Sequence, residues 1–61
     1  MTKQEIIRVI ECYPQEFHIK GDLITIHEKA VELADEILNW PTHTAMHKVK
    51  KLFAIMPKPK F

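Results

Sequence analysis

The sequence predicts a small α+β fold in the order α-β-β-α-α, in which a two-stranded antiparallel hairpin packs against three amphipathic helices. Three observations support this class: a capping box near the N-terminus, a Gly-Asp pair between two short alternating segments, and apolar residues at helical spacing elsewhere. A length of 61 residues allows one domain. We assign residues 1–56 to a single compact domain and residues 57–61 to an extended tail rich in proline and lysine.

The first helix is expected from Lys3 to about Cys12. Thr2 and Glu5 have the spacing of a capping box, in which the threonine hydroxyl and the glutamate carboxylate each accept a hydrogen bond from a backbone amide. Pro14 should end the helix, because proline disfavours helical geometry at the residue before it. The apolar residues of this segment share one side of the helix: Ile6, Val9, Ile10 and Tyr13, with Ile7 at the edge.

The β-hairpin is expected over residues 17–26. Gly21 and Asp22 suit a two-residue type II′ turn, since glycine accepts the positive φ angle that its first position requires. In that register four apolar side chains share one face of the hairpin, which should then cover the helices. These side chains are Phe17, Ile19, Ile24 and Ile26.

A second helix is expected from about His27 to Asn39, with Thr25 and Glu28 as a candidate capping box. Half of its circumference is apolar, and Trp40 continues that half. We therefore expect this helix to lie at the centre of the core, against both the hairpin and the first helix.

A third helix should begin between Thr42 and Thr44, after the Trp40–Pro41 break, and end at Pro57. One side of it is apolar: Ala45, Met46, Val49, Leu52, Phe53 and Met56. The other side is polar and basic apart from one isoleucine: His43, Thr44, His47, Lys48, Lys50, Lys51 and Ile55.

Charge is divided unevenly along the chain. Residues 1–40 hold all eight acidic residues and four of the nine basic ones, whereas residues 41–61 hold five lysines and no acid. Such segregation is typical of a surface that binds an acidic partner. The candidate binding residues all come from the basic end: His43, His47, Lys48, Lys50, Lys51, Ile55, Lys58, Lys60 and Phe61.

The composition argues against catalysis. The chain has no serine and only one glycine, one cysteine and one arginine, so a nucleophile with its base or a glycine-rich phosphate loop is hard to assemble. His43 and His47 have zinc-chelating spacing, but residues 41–61 supply no acid or cysteine as a further ligand. We expect no enzyme activity, no catalytic or metal-binding residues, no cofactor and no small-molecule substrate.

Cys12 has no partner for an intrachain disulfide, and its usual role would be that of a small buried hydrophobe. The longest apolar run, residues 52–56, is far too short to cross a membrane, and no secretory leader is evident. These features predict a cytoplasmic chain without membrane contact. By analogy alone, such a compact chain resembles small accessory regulators that phages and other mobile elements encode.

Two binding functions remain. The first is a regulatory or adaptor role through a protein partner with an acidic surface, combined with self-association as a homodimer that hides surplus apolar area. The second is nucleic-acid binding, with the second and third helices arranged like a helix-turn-helix. Residues 41–61 contain no arginine, asparagine or glutamine, the usual readers of base edges, so lysines would contact only phosphates.

Overall fold

The computed structural model describes residues 2–40 and 42–56, and across these residues the fold is entirely helical. Helix α1 spans Lys3–Cys12, α2 spans Leu23–Asn39 and α3 spans His43–Ile55, with a short 3₁₀ helix at Pro14–Phe17 between α1 and α2. The described residues contain no strand, so the predicted α+β class and its β-hairpin are wrong. The predicted tail at 57–61 lies outside the described residues.

The hairpin prediction fails on both sides of Gly21. Phe17 ends the 3₁₀ helix, and His18 then takes a left-handed conformation with φ of 58° instead of an extended one. Asp22 is the N-cap of α2, because its Oδ1 atom accepts a hydrogen bond from the Thr25 amide at 2.8 Å. Residues 23–26, predicted to be a strand, therefore form the first turn of α2.

Gly21 has a φ angle of 140°, a conformation that residues with a side chain rarely adopt. A Cβ atom at this position would lie 2.9 Å from Cβ and Cγ2 of Thr25. The requirement for glycine was thus correctly predicted, but it serves the entry into a helix and not a hairpin turn. A Gly-Asp pair is compatible with both structures, since aspartate also favours the N-cap position.

Helix α1 confirms the predicted bounds and cap. The Thr2 amide donates to Glu5 Oε1 at 2.8 Å, and the Glu5 amide donates to Thr2 Oγ1 at 3.2 Å. Pro14, which was expected to stop the helix, is the first residue of the 3₁₀ helix, where its fixed φ angle is favourable. The bounds of α1 are therefore determined by the local sequence.

Helix α1 is the centre of the packing and contacts α2, α3 and the 3₁₀ helix. Two side-chain contacts show that α1 and α2 are antiparallel: Lys3 Nζ lies 3.0 Å from Asp35 Oδ1 at one end, and Glu11 Oε1 lies 2.8 Å from His27 Nδ1 at the other. The buried core residues come from all three α-helices: Ile6, Ile7, Val9, Ile10, Ala30, Ala34, Ile37 and Val49.

Alanine at positions 30 and 34 of α2 keeps its core-facing side narrow, which lets the backbones of α1 and α2 approach closely. Several large apolar side chains stay outside this core. Cys12, expected to be buried, is exposed at the end of α1. Among the described helices, none combines the length and the hydropathy that crossing a bilayer requires.

Candidate functional site

The outward side of α3 is the candidate site. Val49 is buried, and the other residues of the predicted apolar stripe of α3 are partly buried against the core. This packing turns the opposite side to solvent, and we call five of its exposed residues the basic face of α3: His43, His47, Lys50, Lys51 and Ile55. Their predicted role in binding is a separate matter from their exposure and stays a prediction.

Lys48 does not belong to the basic face. Its side chain is partly buried, and its Nζ atom donates a hydrogen bond of 2.9 Å to the backbone carbonyl oxygen of Glu16. The same ammonium group lies 5.8 Å from the centroid of the Phe17 ring. Lys48 therefore connects α3 to the 3₁₀ helix, although the sequence placed it with the binding lysines.

The two remaining lysines of α3 keep their charge exposed. The ion pairs among the described residues join Lys3 to Asp35 and Lys29 to Glu32, and the carboxylate of Glu11 contacts the imidazole of His27. Within residues 2–40 and 42–56, no acidic side chain lies within ion-pair distance of Lys50 or Lys51. The predicted site residues Lys58, Lys60 and Phe61 lie outside the described residues.

Ile55 gives the basic face an apolar component. Its side chain is 63% exposed, and it follows Lys51 by one helical turn on the same side of α3. A single exposed apolar residue is ordinary on a protein surface. Next to two exposed lysines, however, it produces a mixed cationic and apolar surface.

A metal site on α3 is not supported by the donor set. His43 and His47 lie one turn apart beside a shallow groove of about 350 Å³, and Lys50 also lines this groove. A lysine ammonium would repel a bound cation. Over the described part of the chain, no cluster of three or more histidine, cysteine, aspartate or glutamate side chains is arranged to hold a metal ion.

The carboxyl groups with clearly perturbed pKa values lie elsewhere. The amide of Thr2 holds the pKa of Glu5 below its ordinary value, and the amide of Thr25 does the same for Asp22. Both carboxylates are helix caps, and neither borders the basic face. Their shifted pKa values therefore report helix termini and not a reactive centre.

Sequence reasoning missed the exposure of Trp40. This residue was expected to continue the apolar half of the second helix, yet it caps the C-terminus of α2 with 79% of its surface exposed. Leu38, which helical spacing places on the same apolar half, is 42% exposed. No local signal marks either position, since their exposure depends on where α3 leaves α2.

No protein-family model, curated protein or solved structure matches this chain.

Proposed function

We propose that this chain is a non-catalytic regulator or adaptor that binds an acidic protein surface through the basic face of α3. The observation that carries the proposal is the arrangement of Lys50, Lys51 and Ile55, which are all exposed and lie within two turns of one helix. A partner would pair its carboxylates with the two ammonium groups and cover the isoleucine with apolar atoms.

A protein partner fits this surface better than a nucleic acid. Affinity for a duplex comes mainly from neutralising several phosphates, and Lys48 is already engaged by the chain itself. Two lysines remain on the described part of the basic face, and the exposed side chain of Ile55 gains nothing from a phosphate backbone. The acidic residues of α2 would also repel a polyanion.

The proposal is tested by affinity capture from an extract of the native cells, with and without nuclease. The wild-type chain should capture a protein in both conditions. Lys50→Glu and Lys51→Glu should each lose most of it, because each places a like charge against the partner's acids, and Ile55→Ala should weaken capture. Arg8→Glu is the matched control, since it makes the same charge change at an exposed position of α1.

If Arg8→Glu weakened capture as much as Lys50→Glu does, a binding site on α3 would be contradicted. If the captured material were lost after nuclease treatment, the partner would be a nucleic acid and not a protein. In that case a gel shift with an arbitrary duplex should show strong dependence on salt concentration.

A further inference from the structure

Two histidines share the outward side of α3 with the exposed lysines. His43, His47 and Lys50 are separated by four and three positions, so they lie in one stripe along the helix, about 10 Å long at 1.5 Å per residue. All three side chains line one shallow groove of about 350 Å³. Lys51 is exposed beside this stripe. The two imidazoles therefore belong to the same surface as the two ammonium groups that carry the proposed function.

Acidic groups of the neighbouring elements lie away from these imidazoles. Among the described residues, the lining of the groove comes only from α3 and its N-cap. Glu36 of α2 lines a neighbouring groove, and Glu5 and Glu11 of α1 line a third one. The 3₁₀ helix meets α3 at Lys48 through a backbone carbonyl, which does not titrate. In the described part of the chain, no carboxylate lies within ion-pair distance of either imidazole.

We propose that the affinity of the basic face for its acidic partner rises as the pH falls from about 8 to about 5.5, because His43 and His47 then become charged. This regulation rests on the proposed function, since it acts on the same surface. Across that range lysine stays positive, and aspartate and glutamate stay negative. The basic face therefore carries four positive side chains at the lower pH instead of two.

The direction of the effect follows from proton linkage. A carboxylate of the partner next to an imidazole favours the charged form of that imidazole, so the complex binds more protons than the separated molecules do. Affinity then increases as the pH falls, and the partner in turn raises the pH at which each imidazole titrates. Because exposed ion pairs are weak, each histidine should contribute about two- to three-fold in affinity, and the two together about four- to nine-fold.

The arrangement separates two parts of the interaction along α3. Lys50, Lys51 and Ile55 hold the partner at any pH near neutrality, whereas the stripe towards the start of the helix adds charge only under mildly acidic conditions. The contact surface thus extends by about two turns of α3 as the pH falls.

A synthetic peptide of about ten aspartates serves as the acidic probe, since its carboxylates stay ionised above about pH 5.5. Its binding to the full chain is followed by NMR at about 0.1 M salt, where charges more than about 10 Å apart are largely screened. The wild-type chain should bind this peptide about four- to nine-fold more tightly at about pH 5.5 than at about pH 8.

Histidine variants locate the source of this gain. His43→Gln/His47→Gln keeps polar side chains that do not titrate, so the ratio of its affinities at the two pH values should fall close to one. His27→Gln is the matched control, because it removes an exposed imidazole from α2 and should keep the wild-type ratio. Circular dichroism confirms that each variant is folded at both pH values before the affinities are compared.

The imidazole protons give an independent measurement, because each of the four histidines of the chain has its own NMR signals. With the peptide present, the titration midpoints of His43 and His47 should rise by about 0.3–0.5 pH unit, which is the two- to three-fold gain expressed on a logarithmic scale. The midpoints of His18 and His27 should not change.

A wild-type affinity that is the same at both pH values would overturn the pH dependence. So would a gain that His43→Gln/His47→Gln retains or that His27→Gln removes. In each of these cases, binding at about pH 8 that Lys50→Glu/Lys51→Glu abolishes would leave the acidic-surface proposal intact. A peptide that does not bind at either pH would overturn both proposals.

Discussion

The ammonium group of Lys48 donates a hydrogen bond of 2.9 Å to the backbone carbonyl of Glu16, a residue 32 positions earlier in the chain. Glu16 lies in the single turn of 3₁₀ helix, whose last carbonyls lack helical partners. By satisfying one of them, Lys48 joins two segments that are remote in sequence. The three lysines of α3 thus differ in role: Lys48 contacts the 3₁₀ helix, whereas Lys50 and Lys51 face solvent.

Replacing Lys48 by methionine should therefore reduce stability, whereas Lys50→Met should not. Lys48→Met removes one hydrogen bond and a cation–π contact while it keeps the apolar stem, so we expect a loss of about 1 kcal/mol in the free energy of unfolding. Lys50→Met changes an exposed position and should stay within about 0.5 kcal/mol of the wild type. Urea unfolding followed by circular dichroism at low salt measures both values.

Affinity capture of the partner should rank the Lys48 and Lys50 variants in the opposite order. Lys50→Met should weaken capture of an acidic partner, and Lys48→Met should leave capture intact at a temperature where that variant is folded. Equal losses of stability in the two variants would mean that the contact between Lys48 and Glu16 contributes nothing in solution.

Asp22 makes the stability of α2 dependent on pH. The Thr25 amide lowers the pKa of the Asp22 carboxyl below its ordinary value of 3.8, because the hydrogen bond favours the charged form. The folded chain then binds fewer protons at this group than the unfolded chain does. The stabilisation is complete above the ordinary pKa and is lost as the pH falls through the lowered value.

Asp22→Asn should keep the cap and remove this part of the pH dependence, because asparagine is an equally good N-cap without a charge. We expect its melting temperature to match the wild type near neutral pH and to fall less steeply below pH 3.8. Asp22→Ala is the control: it should melt a few degrees lower at neutral pH, because the cap itself is lost. If asparagine and aspartate gave the same acid profile, the hydrogen bond to Thr25 would not be the cause.

The sequence predicts best where a structure is determined by neighbouring residues. The bounds of α1 follow from its capping box and from Pro14, both of which act within one turn. The predicted start of α3 between Thr42 and Thr44 and its predicted end at Pro57 are similarly close to the observed bounds, which are His43 and Ile55. The exposure of Lys50 and Lys51 also follows from helical spacing, once one side of α3 is known to be apolar.

The errors arise where two structures share a local signal or where a contact is remote. Gly21 and Asp22 fit a hairpin turn as well as a helix start, and the β-branched residues after them favoured the strand. The N-cap at Asp22 was the overlooked signal. The predicted N-cap at Thr25 placed the start of the second helix about one turn too late. The bond from Lys48 to Glu16 could not be anticipated, since it depends on how α3 crosses the 3₁₀ helix.

A pair of isoleucines distinguishes the helical fold from the predicted hairpin. Ile10 is completely buried in α1, so Ile10→Ala should cost about 2–5 kcal/mol. A chain of 61 residues has a total stability of only about 3–9 kcal/mol at typical values per residue, so this variant should be largely unfolded well below the wild-type melting temperature.

Ile24 should behave in the opposite way. It is 71% exposed in the first turn of α2, and alanine has the higher helix propensity, so Ile24→Ala should change stability by less than about 0.5 kcal/mol. In the hairpin, Ile24 would lie on the covered face with Ile19, and its truncation would cost about as much as that of Ile10. Thermal unfolding of the two variants by circular dichroism measures both effects, and a loss at Ile24 as large as that at Ile10 would contradict the exposed position of Ile24 in α2.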